Sequence, residues 1–500
     1  MLFQGFVLLR IIPAASRKMK LQKLIKSDNS KTRVFFNTTF IIIETVFDKG
    51  LFFIINVLLA RYFTPELFGE YTTALGYATL FSTFCDIGIK GTLVRSIAKD
   101  PESGSEHVTS ALVMKTLLVF LSYSALAISL FFVNYNADVI CLILILGIFR
   151  IGDEYRKVIL AIVNAHEKFL WSSVFNTLFA LSFLSVTIAV ILLKGNYFHI
   201  SWSRSVMAII LVAALAVIVL RGVKLRFSYQ KFKEFLPHMF YFGFGTLFSN
   251  AYKRFNIVLI SIMCGSLYAG YFNNAFVFFL SLFFIPDNIS RVLMPHLLKE
   301  SIVDNKKKFQ FTYEFYSRFY AVISFYICII LFLFANDIIT FFYGEKYLPA
   351  VPVLQILAFG IPPLFNINNL MLTLIDKQKQ AAVFQAVAFL VNVVTTIILV
   401  YFMQIKGAAI AIILTYFSLN IMSGFYLVRN DFVNFRNIRI VLFKILFISI
   451  ITCLFYFFLF NRFNFMAEFL MVSAVYALLI LIIIVNRDDI RILKEILGRE

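Results

Sequence analysis

Apolar residues fill this chain in long unbroken runs, not in alternation with polar ones. About 14 such segments of roughly 20 residues are recognisable. They lie at 38–60, 68–88, 108–133, 138–162, 169–193, 201–220, 237–262, 267–290, 313–335, 350–375, 381–403, 407–428, 439–460 and 464–486. A helix needs about 20 residues to cross a hydrocarbon core of about 30 Å. The runs are apolar on every side and their connectors are short, which predicts membrane-spanning helices and not barrel strands. The connectors fall into two classes. One is basic: Arg17, Lys18, Lys20, Lys23, Lys26, Lys31 and Arg33; Lys90, Arg95 and Lys99; Arg221 to Lys233; Lys299 and Lys306 to Lys308; Lys377 and Lys379; Arg429, Arg436 and Arg439; and Arg487, Arg491, Lys494 and Arg499. The alternate class holds Arg61, Lys194, Lys346, Lys406 and Arg462. A contrast of about six to one places the basic class in the cytoplasm. Both termini are then cytoplasmic, which requires an even number of spans.

Composition agrees. The 500 residues are 61% hydrophobic, with 62 phenylalanines and a mean hydropathy of +0.87. Soluble domains sit near 45–50% apolar, so the expected class is an all-α polytopic membrane protein. The net charge of +19 would suggest nucleic acid in a soluble protein. Here the basic connectors account for it, and no nucleic-acid partner is expected. Cys85, Cys141, Cys264, Cys328 and Cys453 lie singly in apolar runs, as small buried hydrophobes do. The five histidines are scattered, so neither a metal site nor a cofactor is expected. Residues 1–18 are too short to span and lack a signal-peptide pattern; either Met19 is the true start or the segment is a surface helix.

An internal repeat shapes the domain reading. At an offset of 201, LFGEYTTALGYATLFSTFCDIG (67–88) falls on YAGYFNNAFVFFLSLFFIPDNI (268–289). Gly69 meets Gly270, Asp86 meets Asp287, and Arg95 meets His296. A looser match near offset 211 relates NAHEKFLWSSVFNT to DKQKQAAVFQAVAF. The expected organisation is a basic tail (1–36), a first six-helix lobe (37–222), a second (223–430), two appended helices (431–486) and a basic tail (487–500). Both lobes start from the same side, so they are parallel repeats, whose substrate sites lie between the halves.

The spans carry charges that hydrocarbon alone would reject. In the first span, Glu44, Asp48 and Lys49 each cost roughly 2.5–3.5 kcal/mol at mid-bilayer, about as much in sum as its apolar residues return. They must therefore face other helices or water. Glu44 and Asp48 lie about 6 Å apart along one helix face. This is either an internal ion cluster or a cation site, since close carboxylates can share one proton. In RIGDEYRK, Arg150, Asp153, Glu154 and Lys157 form one helical stripe, suited to mutual pairing and to a polar cavity wall. In NAYKRFN, Lys253 and Arg254 have no acid in their own span. They suit either a salt bridge to another helix or an anionic substrate, for which the arginine fork is well shaped. Lys115 and Arg318 lie near span ends, where snorkelling is the simpler expectation. In LAFGIPPLFNINNLML, Pro362 and Pro363 must break the helix. Asn366, Asn368 and Asn369 then either hold sugars or satisfy the freed carbonyls. Pro286 marks a further kink.

Taken together, these stretches resemble a known family. ARYFTPELFGEYTTALGYATLFSTFCDIGIKGTLVRSIAKD (60–100) is similar to the N-terminal signature of the polysaccharide-transport family, the O-antigen flippases of the multidrug/oligosaccharidyl-lipid/polysaccharide exporter superfamily. Arg61, Gly69, Tyr71, Asp86, Gly88 and Arg95 carry the likeness, and Ser96 stands where that family commonly has an acid. LQILAFGIPPLFNINNLMLTLIDKQKQAAVFQAVAFLVNVV and KGAAIAIILTY, with Gly407, Ala408 and Ala409, resemble its C-terminal lobe. The resemblance implies two six-helix lobes in a V and two further helices. It implies flipping of undecaprenyl-pyrophosphate-linked oligosaccharides, of O-antigen or capsule type, by alternating access coupled to H+ or Na+. Lys253, Arg254, Arg150, Lys49, Asn366 and Asn369 are then candidates for substrate binding, and Glu44, Asp48, Asp153 and Glu154 for ion coupling. Polymerase and chain-length proteins of the same pathway are possible partners. A lipid II flippase or a drug/cation antiporter remains open within the superfamily. A membrane polymerase or ligase would need a larger outer domain than the roughly 14-residue connector around Asp337 to Pro349.

Overall fold

The computed structural model describes residues 30–299, 306–460 and 464–484. The expectations for Met19 and for most of both basic tails lie outside the described residues. Every regular element among the described residues is helical, as the long apolar runs predict. The chain is an all-helical membrane protein, and it divides into two compact units, Met1–Gly270 and Tyr271–Glu500.

The first unit contains α1 (Ser30–Tyr62), α2 (Pro65–Ser82), α3 (Ile89–Lys99), α4 (Gly104–Leu130), α5 (Ala137–Ala165), α6 (Phe169–Leu192), α7 (Tyr197–Leu220) and α8 (Tyr229–Met263). Local chemistry sets several starts. Thr64 caps α2 by accepting from the Leu67 amide, with Pro65 in the first turn, where its missing N–H costs nothing. Asn136 caps α5, and Asn196 with His199 forms a reciprocal capping box on α7. The second apolar segment ends in a 3-10 turn, Thr83–Cys85, and resumes at α3 after Gly88 with φ +76°. Ile89, Leu93 and Ile97 of α3 then pack on Val108, Val158, Ile162, Leu215, Phe235 and Met239 from four other helices. The first compact unit takes in α8, which packs on α2, α3 and α4.

Two close approaches hold the unit together. A Cβ on Gly243 would lie 2.1 Å from the Ile87 carbonyl carbon, and one on Gly88 would lie 2.4 Å from the Met239 oxygen. A Cβ on Gly270 would lie 2.9 Å from the Gly69 Cα, and one on Gly69 would lie 2.2 Å from the Ser266 oxygen. The two glycines that the 201-residue offset superimposes therefore touch each other.

The second unit continues along α9 (Ser266–Ser281), with α10 (Phe284–Lys299), α11 (Lys306–Leu333), α12 (Ala335–Tyr343), α13 (Val351–Ala358), α14 (Ile361–Leu364) and α15 (Asn368–Leu374). After these come α16 (Gln378–Arg429), α17 (Arg436–Phe455) and α18 (Phe465–Ile483). The segment with the paired prolines is broken, bent by 52° between its halves. The break expected near Pro286 falls just upstream, between Ser281 and Phe284, which puts Pro286 in the tolerant first turn of α10. Inside α16, Gln404 has non-helical angles (φ 49°, ψ −132°), at the gap between the segments 381–403 and 407–428. The last two helices pack on α11 through Ile445, Ile448, Val472 and Tyr476, around a fully buried Phe334. In lipid such contacts stabilise by close packing, since acyl chains are as apolar as the side chains.

Among the described residues, eight helices are long and apolar enough to cross a membrane, nine if the bent pair counts as one. The sequence count of about 14 is larger for two reasons. The α16 helix joins two of the expected spans, and α1, α2, α5 and α8 are not among the eight.

One ion pair joins the ends of α3 and α8. Lys231 Nζ lies 3.0 Å from Asp100 Oδ2. The hydrogen bond from Lys231, with further help from Ser103, holds the Asp100 carboxyl down at about 2, and the same contact raises Lys231. A depressed carboxylate stabilises the fold above its ordinary range near 4 and loses that contribution as pH falls through its folded value. Unfolding curves of wild type and Asp100→Asn should therefore differ at pH 6 and converge between about pH 4 and 2. An offset that stays constant over that window would contradict the pairing.

Candidate functional site

The charges of the first unit form one connected chain across α4, α5 and α6, with the carboxylates of α1 beside it. On α5, Arg150 Nη1 lies 3.1 Å from Asp153 Oδ2, and Arg156 Nη2 lies 2.6 Å from Asp153 Oδ1. Lys157 Nζ lies 3.3 Å from Asp153 and 2.6 Å from Glu154. The stripe Arg150, Asp153, Glu154 and Lys157 thus pairs within its own helix, as its spacing suggests.

The chain extends in two directions. Towards α4, Lys115 Nζ lies 2.7 Å from Glu154 Oε2 and donates to the Cys85 carbonyl at 2.6 Å. Lys115 is 0% exposed, which corrects the expectation that it snorkels to an edge. Its depth has a physical reason: the 3-10 turn after α2 frees a backbone carbonyl, and the ammonium satisfies that oxygen and Glu154 together. Ser122 donates to the Phe81 oxygen and Arg150 Nε to Ser82 Oγ at the same break. Towards α1, Arg156 donates to Asn176 Oδ1 on α6 and lies 4.4 Å over the Phe179 ring. Asn176 in turn neighbours Glu44 on α1. Asp48 lies within the fields of Arg156, Lys49 and Asp153. Lys49 is exposed, one residue round the helix from Asp48.

Arg254 on α8 is different. It is partly buried, and the charge it feels is the like charge of Arg150. Among the described residues no carboxylate pairs with it. Its neighbour Lys253 is also partly buried. A further buried cation was not singled out by the sequence: Arg204 on α7, 3% exposed. It donates to Tyr71 and sits between the Phe149 and Phe183 rings at 5.3 and 5.4 Å, a geometry in which ring faces replace a counter-ion. Its only sequence signal is a lone Arg at the fourth residue of the run 201–220. Arg156 and Asn176 were likewise missed. Arg156 has a legible partner in Asp153 three residues earlier, while Asn176 acquires its role from helices distant in sequence.

In the second unit the asparagines divide. Asn366 donates to the Pro363 carbonyl at 2.8 Å and accepts from the Asn368 amide at 3.2 Å, so it closes the break that the prolines open. Asn368 is a buried hub that accepts from Tyr313 and donates to Asn420 and Ser423. Asn369 is exposed.

The comparisons with known proteins agree with this architecture. Solved structures share the fold. A lipid II flippase MurJ in an inward closed conformation matches with a TM-score of 0.71 at 19% identity, covering 91% of this chain and 99% of that one. An outward-facing multidrug resistance MATE transporter of the MOP superfamily matches with a TM-score of 0.56 at 12% identity, covering 82% and 97%. A MOP superfamily transporter from Pyrococcus furiosus matches with a TM-score of 0.55 at 13% identity, covering 79% and 95%. No curated protein matches the chain. The family model described as polysaccharide biosynthesis protein matches residues 34–299, just over half of the sequence. By that match, and with a fold shared with transporters of the MOP superfamily, the chain belongs to the polysaccharide biosynthesis protein family.

Proposed function

We propose that this protein flips undecaprenyl-pyrophosphate-linked oligosaccharide repeat units from the cytoplasmic to the periplasmic leaflet of a bacterial inner membrane, by alternating access driven by H+ or Na+. The observation that supports this most directly is Arg254. A guanidinium partly withdrawn from water, in the field of a second one and with no paired carboxylate among the described residues, is costly until an anion arrives. A pyrophosphate offers several charged oxygens, and the arginine fork binds such groups in pairs. Arg254 and Lys253 are the primary anion ligands, Arg150 turns towards the same charge, and Lys49 supplies a further cation. Asn366 is engaged in its own helix break, so of the two asparagines Asn369 is freer to meet sugar.

Coupling falls to Glu44 and Asp48. Asp153 and Glu154 are already neutralised by Arg150, Arg156, Lys157 and Lys115. Glu44 and Asp48 both lie in the field of Arg156, so a cation taken up there would remove their pull on Arg156 and leave it to Asp153 and Asn176. Asp153 and Glu154 would sense the ion at second hand.

The test is complementation of a strain that lacks its own flippase. Wild type should restore surface polysaccharide, and Lys253→Gln with Arg254→Gln should reduce it by at least tenfold at equal membrane abundance. Full polysaccharide from the double variant would remove the anion assignment. A parallel strain depleted of its lipid II flippase tests the second reading, favoured by the similarity to MurJ. Rescue there and not in the first strain would select it.

A further inference from the structure

The first turns of α17 carry a feature that the flippase reading does not use. Arg436, Arg439, Ile440, Phe443 and Lys444 line one open groove. Their spacing of three, four, seven and eight residues puts them on one helix face. All five are exposed, Ile440 by 54% and Phe443 by 71%. Phe447 continues the apolar side, 54% exposed, one turn further on. Among the described residues no carboxylate pairs with any of the three cations. Glu314 of α11, which meets this helix end, is engaged by Asn437 and Gln310.

We infer that this face is a binding site for an anionic glycerophospholipid of the surrounding leaflet. The charges lie at the end of the helix that follows a basic connector, at the level where phosphodiesters sit. Lys444 starts about 12 Å deeper than Arg436 along the axis, and its stem can carry the ammonium back towards the headgroups. Ile440, Phe443 and Phe447 present a bed for an acyl chain directly below. The alternative occupant with the same chemistry is the pyrophosphate of a lipid-linked sugar. Against it, the groove lining contains no amide or hydroxyl to read a glycan, only cations and hydrocarbon. Because α17 packs on α11 and α18 through its opposite face, a lipid held here would buttress the last two helices from outside.

Native mass spectrometry of the full chain in detergent tests this, with phosphatidylglycerol, phosphatidylcholine of matched chains and undecaprenyl pyrophosphate as separate probes. Wild type should retain phosphatidylglycerol at least tenfold more than phosphatidylcholine. Arg436→Gln, Arg439→Gln and Lys444→Gln together should abolish that preference. A control carrying Lys306→Gln, Lys307→Gln and Lys308→Gln changes the same charge elsewhere and should keep it. Equal retention of the two phospholipids by wild type, or equal loss in both triple variants, overturns the site. If the groove variant loses only undecaprenyl pyrophosphate, the occupant is the carrier lipid and the inference also fails.

Discussion

Glu154→Leu should destabilise the protein by about 3–5 kcal/mol, the usual cost of removing one member of a buried ion pair. The cost arises at Lys115. That ammonium is fully enclosed and would keep one ligand, the Cys85 carbonyl, too little for a charge out of water. Lys115→Met should also be harmful, because it leaves the carbonyl freed at the break after α2 without its donor and Glu154 with Lys157 as its remaining cation. The paired change Lys115→Met with Glu154→Leu should recover part of the loss, since it removes both charges at once. Recovery should stay incomplete because the Cys85 carbonyl remains without its donor. Thermal unfolding in detergent, followed by size-exclusion of the surviving monomer, measures this. A Glu154→Leu protein that unfolds with wild type would show that the pair is not enclosed as described.

Gly243→Val should fail at assembly. Even an alanine there would bring its Cβ to 2.1 Å from one backbone atom and 2.4 Å from another. A flexible side chain could move aside, but the backbone of the Ile87–Gly88 turn cannot do so without shifting α3. Overpacking usually costs about 1–3 kcal/mol, and a backbone clash with a branched side chain belongs at or beyond the top of that range. Gly88→Ala adds a second strain, because φ +76° is a glycine conformation. The double Ala variant at these two positions should cost less than the sum of the singles, since one displacement of the turn relieves both. Monodispersity after extraction and the unfolding temperature report the effect. A well-behaved Gly243→Val protein would show that α8 does not approach the turn so closely.

The fold was readable where one physical rule acts alone. Lipid demands long apolar helices, so runs such as 169–193 and 201–220 coincide closely with α6 and α7. The same rule misplaces helix ends where backbone breaks intervene, because Thr83–Cys85 and Ser281–Phe284 are as apolar as their flanks. Prolines are visible, so the bend around Pro362 and Pro363 was legible, while Gln404 shows nothing unusual in composition. The candidate site divides similarly. Spacing within one helix exposes the pairing of Arg150, Asp153, Glu154 and Lys157. It cannot show that Lys115 reaches across from α4, or that Arg156 meets Asn176 of α6, because those distances are set by packing between helices far apart in the chain. Lys115 shows why: its nearness to a span end suggested an escape to water, and only the unsatisfied Cys85 oxygen explains why it stays inside.

The touching glycines at 69 and 270 bear on descent. If the chain arose by duplication of a half-length gene, that ancestor would have presented this glycine to a second copy of itself, as symmetric dimers do. Any larger residue there would have collided with its own image, so a single mutation would have been felt twice. After fusion the two positions became free to diverge separately. Both are glycine in this chain, because neither backbone can retreat for the other.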